Sequence, residues 1–150
     1  MIAVPVVIAD TREQLVLRFS GGVMVERATL PTGDYSLRGF TDFVAIERKT
    51  IHDLVRCVGP ERPRFMDCCR RLQAYELRAI VVEASLDDVL AHAYGSATHP
   101  QSVIGTVLAL HVDYAVPTIW AGNANNAANI VERMLVRVWR KRLERREELT

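Results

Sequence analysis

The spacing of hydrophobic and polar positions changes character at residue 50. Before it, short apolar runs are separated by glycine, proline and polar clusters. VPVVIAD (4–10) ends on Asp10 and gives way to the polar TREQ. VMVERATL (23–30) and YSLRGFTDFVAIERK (35–49) are rich in β-branched and aromatic residues and are broken by Gly21, Gly22, Pro31, Gly33 and Gly39. Such runs predict strands arranged as an antiparallel meander, with Asp34 in the turn that heads the second hairpin. From Thr50 the period becomes helical: Ile51, Leu54, Val55 and Val58 fall at i, i+3, i+4 and i+7, one face of a helix. Thr50 and Asp53 have the T-x-x-D form of a capping box, which sets a strand-to-helix junction directly after Lys49.

Beyond Gly59, Pro60 and Pro63, the positions of Phe65, Cys69 and Leu72 predict a second helix ending near Leu77. AIVVEA (79–84) reads as a short buried strand, LDDVLAHAY (86–94) as a short helix and HPQSVIGTVLALHVDY (99–114) as a long apolar one. VPTIW (116–120) reads as a strand and Asn126 onward as a final helix. An all-strand opening followed by strand–helix alternation implies an α/β fold, a three-layer α/β/α sandwich with a mixed central sheet and parallel crossovers in its second half. No internal repeat or low-complexity linker interrupts the chain, and residues 1–150 are expected to form a single domain.

Composition adds three constraints. With 49% apolar residues, 150 residues suffice for one core. The net charge of +1 means that any nucleic-acid footprint must come from local clustering rather than from the field of the whole molecule. Arginine is the default base, since Lys49 and Lys141 are the only lysines. No apolar stretch approaches the ~20 residues of a membrane span, and no charged-plus-apolar leader precedes the first strand, so an intracellular chain with no membrane partner is expected. Cys57, Cys68 and Cys69, odd in number and partly adjacent, predict core or half-buried thiols rather than a disulfide framework.

The candidate chemistry lies at the strand ends. Asp10, Asp34 and Glu47 sit at strand termini or in adjoining turns, so one sheet edge can gather all three. Carboxylates gathered in that way repel unless a cation neutralises them, and hard oxygen ligands select Mg²⁺ or Mn²⁺. Lys49 lies two residues beyond Glu47, so strand alternation places both on one face. A metal-activated water beside an ammonium group suits in-line attack on a phosphodiester. An E-x-K tip is also an ordinary way to blunt an edge strand, and taken alone it decides nothing.

DTRE (10–13), LPTGDYSL (30–37) and IERKTIHDL (46–54) occur in that order. The arrangement resembles the XPF family of structure-specific DNA nucleases, with its D-x-R-E segment, GDY turn and ERK-x-x-x-D signature, and the likeness continues through Arg64-Phe65 and IVVE (80–83). The resemblance implies a restriction-endonuclease-like fold and a metal-dependent endonuclease for branched or flap DNA, serving repair or recombination. Residue by residue, it implies Asp34 and Glu47 as metal ligands and Lys49 as the catalytic lysine, with Asp10 as a further acid at the metal or water. Glu13 is implied as a ligand or a support of the pocket, and Arg12 of the same segment as a substrate contact or support. Arg48, turned away from Lys49 by strand alternation, is implied as a support of the site or a substrate contact, Asp53 as the last acid of the signature, and Arg64 as a phosphate contact. For Asp53 the role of a helix-N-terminal acid is an equal reading, and for Arg64 a solvated helix face is another.

The sequence departs from the pattern after Arg64-Phe65, where relatives often carry Gln or Glu and this chain has Asp67, Cys68 and Cys69. The helix-hairpin-helix module that follows the nuclease domain in many relatives is not expected within these residues. Nuclease-dead partners in the same family supply the alternative of a catalytically silent DNA-binding or scaffolding subunit. A sequence-specific restriction enzyme would need a recognition insertion that the chain lacks. The tail VRVWRKRLERREEL could track a DNA backbone, although interleaved glutamates favour a solvated helix face. Trp120 is expected in the core. Finally, the helix at 101–115 is apolar almost all round and the last helix adds Ile130, Val131, Met134, Leu135 and Val138. Surplus apolar surface of that kind predicts a homodimer or a partner subunit across these two helices.

Overall fold

Strand alternation, carried through six strands, builds a sheet with a different apolar layer on each face. The computed structural model describes residues 4–149. Its elements are β1 (Val6–Asp10), β2 (Met24–Ala28), β3 (Tyr35–Leu37), β4 (Val44–Lys49), α1 (Ile51–Val58), α2 (Arg62–Leu72), β5 (Leu77–Val82), α3 (Leu86–Leu90), α4 (Pro100–Tyr114), β6 (Thr118–Trp120) and α5 (Ala124–Glu148). The strands lie in the order β2-β1-β3-β4-β5-β6. On one face Ala45, Ile80 and Val82 pack against Leu54, Phe65, Cys69, Val103 and Leu110 of α1, α2 and α4. On the other, Val7, Ala9, Val44, Ile46 and Val81 pack against Val131, Leu135 and Val138 of α5. The three-layer α/β/α sandwich with a mixed sheet is therefore the observed fold.

The first half is not a meander. β1 and β2 run parallel, with Val6 opposite Met24 and Asp10 opposite Ala28, and β1 pairs antiparallel with β3, not with β2. A parallel neighbour needs a crossover long enough to return to the starting edge, and residues 11–23 supply it. Leu17 and Phe19 of that crossover pack on the α5 face, and Leu17 donates its N–H to the Tyr35 hydroxyl at 2.9 Å. β3 alone is reversed, because it pairs antiparallel with both β1 and β4, while β4, β5 and β6 are parallel. The carboxyl ends of β1 and β4 and the amino end of β3 consequently share one sheet edge.

Two boundaries also move. The second helix stops at Leu72 rather than near Leu77, because Leu77 is the partner of Val44 in the β4–β5 register. The last helix begins at Ala124, capped by Asn123, whose side chain accepts the Asn126 N–H at 2.8 Å. The junction after Lys49 stands as expected: Thr50 caps α1 and its hydroxyl accepts the Asp53 N–H at 3.1 Å. No helix among the described residues is long and apolar enough to cross a membrane. Cys57 and Cys69 are buried, Cys68 is half-buried, and all three are free thiols.

The surplus apolar surface is smaller than the sequence suggests. Val131, Leu135 and Val138 of α5 are buried by the chain's own sheet, with Ile130 and Met134 packed beside them. On α4, Val103 and Leu110 are buried, and Leu108 and Val112 are left exposed. Trp120 and Trp139 are half-buried, one against each core layer. The basic tail does not reach the site edge: Arg142 stacks over Phe43 at 3.6 Å, next to the start of β4. The six residues of β4 carry the chain about 17 Å from there to the edge that holds Lys49.

Gly33 is the tightest backbone position on the way to that edge. Its φ is +84°, and a Cβ there would meet the Ile46 carbonyl oxygen at 3.2 Å. Gly33→Ala is expected to destabilise the fold by about 1 to 2 kcal/mol, read as a lower denaturation midpoint with an unchanged dependence on denaturant.

Candidate active site

Asp34 is fixed by its backbone before its side chain does anything. Its N–H donates to the Ile46 carbonyl and its own carbonyl accepts from Asp10, both at 2.8 Å, so the turn is laced between the ends of β4 and β1. Its Oδ2 accepts the Arg48 N–H at 2.7 Å. Glu47 and Lys49 project from β4 on the face shared with Ala45, and Lys49 Nζ lies 3.2 Å from Glu47 Oε1. Nζ is also 5.6 Å from the Phe65 ring centroid. These groups line a cavity of about 380 Å³ between the sheet edge and helices α1 and α2, together with Asp10, Arg12, Asp53 and Arg64.

The electrostatics of the pocket are those of crowded acids. Burial and the neighbouring Glu47 carboxylate push the Asp34 carboxyl well above the usual carboxylate range. Burial works against the charge of Lys49, but Glu47 beside it, with Asp34 and other neighbours adding to it, holds the ammonium above the ordinary lysine value. Among the described residues no group of three or more His, Cys, Asp or Glu side chains converges as a ligand set. The pair Asp34 and Glu47 fits a hard divalent cation nonetheless, because Mg²⁺ is usually held by one or two carboxylates and completes its shell with water and phosphate oxygens. Burial contributes most to the raised proton affinity of Asp34 and the Glu47 carboxylate adds to it.

Asp10, Glu13 and Arg48 of the sequence-derived set are each engaged with other groups of the protein. Asp10 is 1% exposed; its Oδ1 accepts the Leu30 N–H at 2.8 Å and its Oδ2 the Arg12 Nε at 2.6 Å. Burial raises its pKa, but the Arg12 guanidinium and the two backbone N–H groups prevail and hold it below the usual carboxylate value. Its oxygens are occupied by the protein. Glu13 faces away from the cavity, accepting from the Tyr35 hydroxyl at 2.7 Å and from Arg48 Nη1 at 3.0 Å. Burial pushes the Tyr35 phenol upward, so it remains a donor. Of the two readings of Glu13, support of the pocket is the one its contacts fit.

Arg48 turns to the opposite face from Lys49, as alternation requires, and lies between Glu13 and Glu83. Glu83 at the end of β5 is thereby part of the support. Asp53 and Arg64 both reach the cavity wall. Sequence reasoning misses Arg56 and Arg71 on that wall, since the helix faces they occupy are told apart only by packing. Cys68 Sγ is 3.8 Å from Glu47 Oε2, and burial together with Glu47 pushes its thiol up to about 12, so it stays a neutral donor.

The profile of the ERCC4 domain matches residues 9–134. The chain is 27% identical over 126 residues to a putative ATP-dependent RNA helicase of Methanocaldococcus jannaschii, a match covering 83% of this chain and 14% of that protein. It is 25% identical over 114 residues to the 3′-flap repair endonuclease Xpf of Saccharolobus solfataricus, covering 75% of this chain and 45% of that protein. The fold is similar to that of XPF from Aeropyrum pernix, with TM-score 0.68 and 25% identity over 87% of this chain and 59% of that one. The same protein in complex with DNA matches with TM-score 0.67 and 26% identity over 91% of this chain and 66% of that one. The chain spans less than half the length of both curated relatives.

The Arg48 network is the support most open to measurement. Arg48→Met leaves Glu13 and Glu83, with side chains 15% and 10% exposed, without their shared cation. A loss of about 3 to 5 kcal/mol in unfolding free energy is expected. The triple variant with Glu13→Gln and Glu83→Gln is expected to recover much of it, and equal stability of Arg48→Met and the parent would show that the network holds nothing.

Proposed function

The chain belongs to the ERCC4 domain family, and from that premise we propose that it is a metal-dependent endonuclease that hydrolyses phosphodiester bonds in branched or flap DNA, in repair or recombination inside the cell. The observation that carries the reading is the meeting of Asp34, Glu47 and Lys49 in one cavity, with the lysine 3.2 Å from a glutamate oxygen. The flap-endonuclease name of one relative and the DNA complex of another support the substrate class.

In this reading Asp34 and Glu47 hold Mg²⁺ or Mn²⁺. The bound ion would acidify a water and offset charge on the phosphoryl oxygens. Lys49, kept charged, donates hydrogen bonds and positive charge at the place where charge grows on phosphorus-bound oxygen. Arg48 acts through its backbone N–H, which fixes the Asp34 carboxylate, and through its side chain, which ties β4 to β5 and to the crossover. Phe65 walls one side of the ammonium and limits its access to water. The silent-subunit alternative loses ground because the acids and the lysine are all present and converge.

For assembly, the reading keeps a homodimer or partner subunit and assigns it to α4, where Leu108 and Val112, one turn apart, are 58% and 77% exposed. A pair of α4 helices from two copies would cover both.

Cleavage of a labelled 3′-flap or fork in Mg²⁺ or Mn²⁺ tests the chemistry. Glu47→Gln is expected to abolish cleavage and to remove the rise in thermal midpoint that the metal gives the parent, about 2.7 kcal/mol of stabilisation at a hundredfold excess over Kd. Lys49→Met is expected to keep the metal-induced rise while turnover falls by orders of magnitude. Full cleavage by Glu47→Gln would sink the assignment. For assembly, light scattering on a sizing column is expected to give a dimer mass for the parent and a monomer mass for Leu108→Glu with Val112→Glu; a monomeric parent at micromolar concentration removes the dimer.

A further inference from the structure

Charge pairing inside the active-site cavity leaves two arginines over, on a different element from the two aspartates, Asp34 and Asp53, that it also leaves. Asp10 pairs with Arg12 at 2.6 Å, Glu47 with Lys49 at 3.2 Å and Glu61 with Arg56 at 3.0 Å. Arg64 and Arg71 line the same cavity, and neither has a carboxylate within ion-pair distance among the described residues. Both lie on α2, seven positions and about 10 Å apart along its axis. Cys68, between them, touches Glu47, which identifies the face they occupy as the one turned to the site.

Arg71 is the more constrained of the two. Its Nε donates to Thr32 Oγ1 at 3.3 Å, and Thr32 is 5% exposed in the turn that carries Asp34. That contact uses one donor of the guanidinium fork. The Nη groups carry the remaining donors and have no protein partner among the described residues. A planar fork anchored at one corner and open along its outer edge is suited to two hydrogen bonds to the oxygens of one phosphate.

We propose that Arg71 binds a backbone phosphate of the DNA strand lying in this cavity, a phosphate other than the one being cleaved. The inference rests on the nuclease reading above for its substrate class. It assigns Lys49 and the carboxylate pair to the scissile group and Arg71 to a flanking one, so that the strand is held on both sides of the turn carrying Asp34. The competing account is that Arg71, in the last turn of α2, merely complements the helix dipole. Arg70 occupies the same turn, is paired with Asp67 by a salt bridge and does not line the cavity, so it serves as the control.

The test is equilibrium binding of the full chain to a fluorescent flap DNA, with metal chelated so that nothing is cleaved, across a range of salt concentrations. Each phosphate contact contributes about 0.9 to the slope of log K against log salt on duplex and about 0.7 on single strands. Arg71→Ala is expected to make the slope shallower by about that amount and to weaken binding, Arg71→Lys to restore the slope, and Arg70→Ala to leave it at the parental value. An Arg71→Ala slope equal to the parent's, or an equal drop in Arg70→Ala, overturns the inference. Because cleavage is not read, an inactive parent that still binds with an Arg71-dependent slope would sink the nuclease reading and leave the phosphate contact standing.

Discussion

One reversed strand sets the site. β1 and β4 point the same way and cannot be hydrogen-bonded neighbours here because β3 runs between them in the opposite sense. Its amino end therefore meets their carboxyl ends, and the residue just before it, Asp34, lands beside Asp10 on one side and beside Glu47 to Lys49 on the other. The turn that permits this is short and tight. Gly33 adopts a left-handed backbone against the Ile46 carbonyl, and the next two backbone bonds of Asp34 tie it to both neighbours. The position of the carboxylate is decided by the sheet and not by a flexible loop.

Having brought acids together, the fold must keep them there. Alternation on β4 divides the work. Glu47 and Lys49 face α1 and α2, where they pair with each other, while Arg48 faces the α5 layer and is held between Glu13 and Glu83. The second arrangement contributes nothing to chemistry directly. It anchors the strand on which the other two are mounted and holds the crossover against β3 through Glu13 and Tyr35. Asp34 is left without a cationic side chain of its own, accepting only the Arg48 N–H. Its raised proton affinity follows from its burial and from the Glu47 carboxylate beside it.

How much of this could be read from the sequence depends on whether the signal was local. The E-R-K tip of β4, the Thr50 cap and the GDY turn are local and appear where expected, as does the division of Glu47 and Lys49 from Arg48 by strand period. The parallel pairing of β1 with β2 is not local: it follows from Leu17 and Phe19 packing on the far layer, a contact that no period within 11–23 announces. The same holds for α5. Its apolar stripe reads as surplus when the helix is considered alone, but the sheet it covers is wide enough to bury it. Arg56 and Arg71 are hidden for a third reason: an exposed arginine on a helix looks the same in sequence whether it faces a cavity or bulk water.

Cys68 stands, with Asp67 and Cys69, in the stretch where the family resemblance leads one to look for Gln or Glu, and its contact with Glu47 gives the departure physical content. A glutamate there would add a third negative charge next to Asp34 and Glu47, and a glutamine would offer a strong amide donor to Glu47. A thiol pushed up to about 12 does neither: it is neutral, and its S–H is a weak donor at 3.8 Å. Restraint of the Glu47 side chain then falls mainly to Lys49 at 3.2 Å. In this chain the lysine is consequently both the cation of the pocket and, with the weaker Cys68 thiol, one of the two side chains among the described residues in contact with Glu47, while the backbone of β4, paired along its length with β5, sets where the carboxylate starts from.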